Sequence, residues 1–183
     1  MSKYIIIEEA PVSRFLFANT FMAPVWFLVR LYVGWIWLSA GWGKITNPKW
    51  VGEEAGTALS GFVKGALLKT AGEHPDVSSW YADFLQNIVL NYTSTFAHLI
   101  AWGECLVGLA LIFGLFTGFA ALAGLFMNLN FMLAGALSVN PILFVLSILL
   151  LMGWRVAGFW GLDRFLLPLL GTPWKVGPFL KRS

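Results

Sequence analysis

Glu104 is the one charged residue in the apolar run FAHLIAWGECLVGLALIFG, and Asn128 and Asn130 are the amides of the next run, TGFAALAGLFMNLNFMLAG. Arg30 and Arg155 are each the internal charge of a further apolar run, and Lys44 closes the run that holds Arg30. A charge near the centre of a hydrocarbon layer costs ~3 kcal/mol, so side chains of this kind face a partner, a cavity or a substrate. Their chemistry can be named. A carboxyl group exchanges protons, a guanidinium or ammonium orients an anion or a carbonyl oxygen, and amides and indoles donate hydrogen bonds. Reduction of a quinone needs that combination, with aromatic walls to hold the ring.

On that basis Glu104, Arg30 and Lys44 are the candidate catalytic residues: Glu104 exchanges protons while Arg30 and Lys44 orient an anion or the quinone oxygen. Asn128, Asn130, Arg155 and Trp102 are the candidates for contact with the quinone. Arg30 is expected to pair with Glu104; the plainer alternative is an arginine that snorkels to the nearer interface. The whole set also suits a second role, a polar network that fixes helix register and performs no chemistry. His98, with Trp102 at i+4 and Cys105 at i+7, reads as a packed, hydrogen-bonded residue. His74 falls in a loop, which argues against bis-histidine haem ligation. No metal site has enough ligands, so neither metal nor haem is expected. Cys105 is the single cysteine, which excludes a dithiol reaction within the chain.

The elements that must position these residues are membrane-spanning helices. The chain is 58% hydrophobic and 11% charged, with a mean hydropathy of +0.76, against about 25% charged residues in soluble domains. Its length of 183 residues suits one domain. Four spans are expected, over about 21–43, 96–117, 119–138 and 141–162. The result is an all-α four-helix membrane bundle, with an outer loop over 44–95. The second and third spans form a hairpin through an uncharged Gly-Leu-Phe-Thr-Gly turn. Pro24 falls in the first turn of its helix, where a missing N–H is harmless. Gly34 and Gly41 share a face and would let a neighbour approach closely. Ala121, Gly124 and Gly135 share a face with Asn128, Ala97, Ala101 and Gly108 share one with Glu104, and those two faces are expected to meet. Within the loop, 58–69 and 78–90 carry apolar residues at helical spacing and predict two amphipathic helices forming a lid, Ser78 or Ser79 capping the second.

The mixed charges of residues 1–18 suit a surface segment that is retained rather than a cleaved signal peptide. The tail 165–183 is expected to rest on the membrane surface, and most of the ten tryptophans and sixteen phenylalanines to face lipid or interface. Lys3, Arg14, Arg164, Lys175, Lys181 and Arg182 flank the spans, whereas the lysines of the large loop are matched by acids. The positive-inside rule then places both termini in the cytoplasm of a plasma (inner) membrane protein. Counted inward from the outer ends, Arg30 and Arg155 lie about 14 residues deep, Asn128 about 12, Asn130 about 10 and Glu104 about 9, which predicts one shared polar core. No basic surface for nucleic acid is present.

The residues Arg30, Gly34, Gly41 and Lys44 in RLYVGWIWLSAGWGK, Glu104, Gly108 and Gly114 in GECLVGLALIFGLFTG, and Gly161 to Asp163 resemble the DoxX/DoxD membrane-protein family. The loop segments NPKW, GTALSGF and SSWYADFL, with MNLNFMLAG and the later NP, resemble the DoxD branch, the large subunit of thiosulfate:quinone oxidoreductase. The resemblance implies a four-helix bundle that, with a small partner subunit, oxidises thiosulfate to tetrathionate and passes electrons to quinone. The partners it implies are the lipid bilayer, a quinone and that subunit, with a second copy of the chain left open. The alternative carried with it is a non-catalytic scaffold or assembly subunit of a redox complex. A small transporter is disfavoured because four spans without an internal repeat give little basis for alternating access.

Overall fold

A computed structural model describes residues 9–171, and every regular element among them is helical. The helices are α1 Pro11–Ala18, α2 Ala23–Ile45, α3 Thr57–Leu67, α4 Ser79–Phe84, α5 Thr93–Phe113, α6 Thr117–Leu133, α7 Asn140–Met152, α8 Trp154–Ala157 and α9 Asp163–Leu169. The surface placement expected for residues 1–8 and for the tail from residue 172 lies outside the described residues. Two helical stretches, Thr20–Ile45 and Ser79–Phe113, are long and apolar enough to cross a membrane; Thr117–Leu133 and Asn140–Met152 are apolar but shorter.

Pro24 does lie in the first turn of α2, and Lys44 lies in its last. The Trp26 indole N–H donates to the Leu16 carbonyl at 2.6 Å and so ties α1 to α2. The hairpin of α5 and α6 turns through residues 114–116. Gly114 ends α5 at φ 64°, a left-handed conformation that an L side chain adopts only at a cost.

The seam between α2 and α5 is the tightest in the molecule and runs antiparallel. At Gly34 a methyl group would lie 3.0 Å from Leu111 Cβ, and at Gly41 it would lie 2.5 Å from the Cys105 amide nitrogen and 2.9 Å from Glu104 Cβ. Gly108 answers from α5 by lying against Leu38. The close approach expected at Gly34 and Gly41 is therefore present, and the neighbour is α5. The expected meeting of the Glu104 face with the Asn128 face is corrected: α2 occupies the Glu104 face, and Gly124 of α6 packs on Trp37 and Val107 instead. Glycines at Gly34, Gly41 and Gly108 let the two backbones approach closely, so α5 turns this face to α2.

The fourth apolar run is not one helix to 162. It breaks at Gly153, which is buried against Phe17 and Trp26, and resumes as α8. The third helix likewise stops at Leu133 rather than 138, where Gly135 takes φ 71°. Both predicted loop helices exist as α3 and α4, the latter continuing as a π turn over Leu85–Val89. Their buried faces, with Leu59, Val63, Tyr81 and Leu85, form a second apolar core against Ala97 of α5 and Ala134 after α6. Ser78 does stand at the N-cap of α4, but its hydroxyl makes no capping bond.

Two glycines only two residues apart in α2 test the seam. Gly41→Ala drives a methyl into α5 and lowers the melting temperature in detergent by several degrees, whereas at Gly43 nothing lies within 4 Å. Gly43→Ala gains up to ~1 kcal/mol of helix propensity and leaves the melting temperature unchanged or raised.

Candidate functional site around Lys44 and Glu104

Glu104 occupies the middle of α5, in the tight seam, and is 1% exposed. Its partner is Lys44, whose Nζ donates to Glu104 Oε2 at 2.5 Å. Lys44 can reach it because the antiparallel register sets Gly41 beside Glu104, leaving the lysine three residues further along to fold its side chain back. The ammonium lies 5.1 Å from the Trp50 ring centre and 6.0 Å from that of Phe131, so a carboxylate and two aromatic faces enclose it. With its side chain 19% exposed, Lys44 links the buried carboxylate to the surface.

This pair borders a cavity of about 260 Å³. Trp37, Trp50, Phe62 and Phe131 supply aromatic walls, and residues between Ala136 and Leu143 close the side toward α7. Phe131 stacks on Trp37 with ring centres 6.3 Å apart and meets Phe62 edge-on at 6.4 Å. A flat, largely apolar ring with an oxygen directed at the ion pair fits such a lining, and the pair can supply or receive a proton at that oxygen.

Arg30 does not pair with Glu104. Its guanidinium is fully buried; Nη1 donates to the carbonyls of Leu111 at 2.6 Å and Ile112 at 3.3 Å, and Nη2 donates to that of Trp160 at 3.0 Å. These include last-turn carbonyls of α5, at the negative end of the helix dipole, where only the Gly114 amide reaches Leu111, at 3.3 Å. Asp163 mirrors this at the start of α6, accepting from the Phe116 amide at 2.6 Å and the Thr117 amide at 2.8 Å. Its charge also acts on Arg30. The 114–116 turn is thus held by a cation on one side and an anion on the other. Arg30 and Lys44 are 14 residues apart on one helix, about 21 Å along its axis, so they cannot orient one small anion together. Helix counting places only a Cα along an axis; a long side chain and its direction around the helix decide where the charge sits.

The other predicted residues are also separated. Asn128 is fully buried and neither atom of its amide has a partner among the described residues. Asn130 faces a different cleft, also about 260 Å³, between α3, α4, α5 and α6. There its Oδ1 accepts from the Tyr81 hydroxyl at 3.1 Å and its Nδ2 donates to the Phe126 carbonyl at 2.8 Å. The Tyr81 hydroxyl, buried on α4, also donates to the Asn130 backbone carbonyl at 3.0 Å. Trp102 is 51% exposed and lines neither cavity. Arg155 lies in α8, which packs on α1 at the opposite end from Lys44, with its guanidinium 5.9 Å from the Trp154 ring. The single polar core expected from depth is therefore replaced by two sites at opposite ends of α2. His98 is hydrogen-bonded through Nδ1 to the Ser94 carbonyl at 2.8 Å.

Sequence reasoning gave Asp163 no role beyond the Gly161 to Asp163 segment of the family resemblance, and missed Trp37, Trp50, Phe62 and Phe131 among many aromatics. That segment was the signal for Asp163; nothing in spacing alone singled out the four rings.

A family model described as DoxX matches residues 25–136. No curated protein and no solved structure matches the chain significantly.

Double-mutant cycles read by unfolding in detergent separate the two sites. Lys44→Leu and Glu104→Leu couple by ~1–3 kcal/mol, because each alone strands a buried charge, whereas Arg30→Leu and Glu104→Leu add to within ~0.5 kcal/mol. Coupling between Arg30 and Glu104 comparable to that of the lysine pair would contradict this assignment.

Proposed function

From the premise that this chain belongs to the DoxX family of membrane proteins, we propose that it is the membrane subunit of a quinone-linked oxidoreductase that oxidises thiosulfate to tetrathionate. The observation that carries the reading is the Lys44–Glu104 pair, a buried carboxylate and its ammonium in the wall of an aromatic cavity. The thiosulfate half rests on the resemblance of the outer loop to the DoxD branch.

Two thiosulfate ions lose two electrons as the sulfur–sulfur bond of tetrathionate forms, and the quinone takes those electrons with two protons to become the quinol. The chain's part is to seat the ring among Trp37, Trp50, Phe62 and Phe131 and to hold a proton at Glu104, within reach of one ring oxygen. Lys44 keeps that carboxylate in place and presents positive charge where an anion arrives. Arg30 and Arg155, at the other end, take no part in this chemistry. With one cysteine in the chain, sulfur–sulfur bond formation takes place at the quinone or on the small partner subunit. In the membrane, α2, α5, α6 and α7 with α8 are the four spans and both termini are cytoplasmic, so Lys44 opens to the outside.

A second reading is a scaffold subunit. It is favoured by Arg30, all of whose hydrogen bonds go to backbone carbonyls and serve only packing.

Purified chain with its small partner is expected to reduce a short-tailed quinone in a thiosulfate-dependent way, and Glu104→Gln to slow this by ~10²-fold or more, the usual worth of a positioned acid or base. Absence of thiosulfate-dependent reduction, or an undiminished rate in the glutamine variant, leaves the scaffold. Reporter fusions at residues 9 and 171 are both expected to read cytoplasmic, and a fusion at residue 72 to read external; any other pattern reverses the topology.

A further inference from the structure

The Lys44–Glu104 cavity has an immediate neighbour. Phe62 and Phe131 line that cavity, and the same two rings line the cleft between α3, α4, α5 and α6. They meet edge-on with ring centres 6.4 Å apart, so the two spaces are divided by a partition of two side chains. Helix α5 also runs from one space to the other: Ile100 lines the cleft, and Glu104, which lines the cavity, is one turn further along, about 6 Å by helix rise.

The two spaces differ in chemistry. The cavity has the ion pair in its wall, whereas the cleft has two polar side chains, Tyr81 and Asn130, which bond each other at 3.1 Å. What the cleft offers an occupant is therefore apolar. Its rim includes Leu99 of α5 and Phe126 of α6, 64% and 67% exposed, and in the proposed membrane orientation those exposed faces meet acyl chains. The cleft thus opens sideways to lipid, while Lys44 opens to the outer surface. Of the two rings in the partition Phe62 is the less enclosed, and it stands on α3 of the loop rather than on a span, so its side chain can turn without disturbing the bundle.

Size points the same way. Each space is about 260 Å³, below the ~300 Å³ at which ordinary ligand pockets begin, whereas the two joined fall inside that range. A ring seated at the ion pair leaves little room beside it for a long substituent. We propose that the cleft takes the apolar side chain of the quinone whose ring occupies the Lys44–Glu104 cavity, the chain passing between Phe62 and Phe131. One ligand then lies across two spaces of matching chemistry, its oxygen at the charges and its methylenes among Leu59, Leu85, Phe96 and Ile100. Lipid is as apolar as these residues, so the cleft acts by packing and by direction. It fixes the side on which the chain leaves the ring, and it gives the ligand a way in from the bilayer. The proposal rests on the quinone reading of the cavity and adds to it the part of the molecule that selects a membrane-soluble quinone.

The test uses the full-length protein in detergent and two ligands with one ring, tetramethyl-1,4-benzoquinone and its analogue in which a decyl chain replaces one methyl. Binding is read by quenching of tryptophan fluorescence in the wild type and in Ile100→Phe, which fills the cleft without touching the ion pair. The variant is expected to bind the decyl quinone at least tenfold more weakly while its affinity for the tetramethyl quinone stays within twofold of wild type. A second measurement needs no variant. A decyl quinone with a photoreactive diazirine partway along the chain is expected to label segments 59–63, 96–100 and 126–131 of the wild type, and excess decyl quinone to suppress that labelling. Unchanged affinity for the decyl quinone in Ile100→Phe, or labelling confined to other segments, overturns the proposal while the cavity reading stands, and leaves the cleft to membrane lipid. Equal weakening for both ligands also overturns it, since that reports altered packing. If the wild-type chain binds neither ligand and no labelling is suppressed, the quinone reading falls and the proposal with it.

Discussion

The close antiparallel seam of α2 and α5 is the constraint from which the remaining geometry follows. Gly34, Gly41 and Gly108 remove side chains where the two backbones meet, and dispersion contacts over that length replace what a hydrophobic driving force supplies in water. With the register fixed at Gly41, Glu104 faces α2 instead of the hairpin partner, Lys44 falls within reach of it, and Arg30 arrives at the far end of α5. A slip of one residue would misplace all three together.

The charges that this seam distributes fall into two classes. At the hairpin turn, Arg30 and Asp163 neutralise the exposed ends of two helix dipoles, and every bond they make is to backbone. Such groups hold the fold, with Arg30 Nε left without a partner among the described residues and Asp163 in the lining of a further cavity. At the other end, Lys44 and Glu104 bond each other and border open space. The two sites differ in what their charges bond: backbone groups at the turn, and each other beside the aromatic cavity.

Much of this was legible in the sequence. Apolar run lengths gave α2 and α5, Pro24 and Pro141 marked helix starts, the spacing of Leu59, Phe62, Val63 and Ala66 gave α3, and the paired glycines announced a close helix contact. The pairing of charges was not legible. Counting residues locates a Cα along an axis, but Arg30 and Glu104 are separated by which way their side chains leave the helix and by how far an arginine extends. The break at Gly153 was hidden because a glycine inside an apolar run is tolerated in many membrane helices; here two aromatics, Phe17 and Trp26, pack on it. Asn128 and Asn130, two residues apart, were grouped, yet that separation rotates them by roughly 200° around a helix, so Asn130 lines the cleft beside Tyr81 while Asn128 is fully enclosed.

The segment that matches the family ends at residue 136, whereas the carboxylate that receives the first amides of α6 belongs to residue 163. The hairpin therefore borrows an essential anion from a part of the polypeptide made well after it. During synthesis, α5 and α6 leave the ribosome with their joint unsealed, and a fragment truncated at the family boundary would keep the Arg30 bonds to Leu111 and Ile112 but lack the Trp160 carbonyl and the Asp163 carboxylate. Independent stability of the matched segment should not be assumed when expression boundaries are chosen.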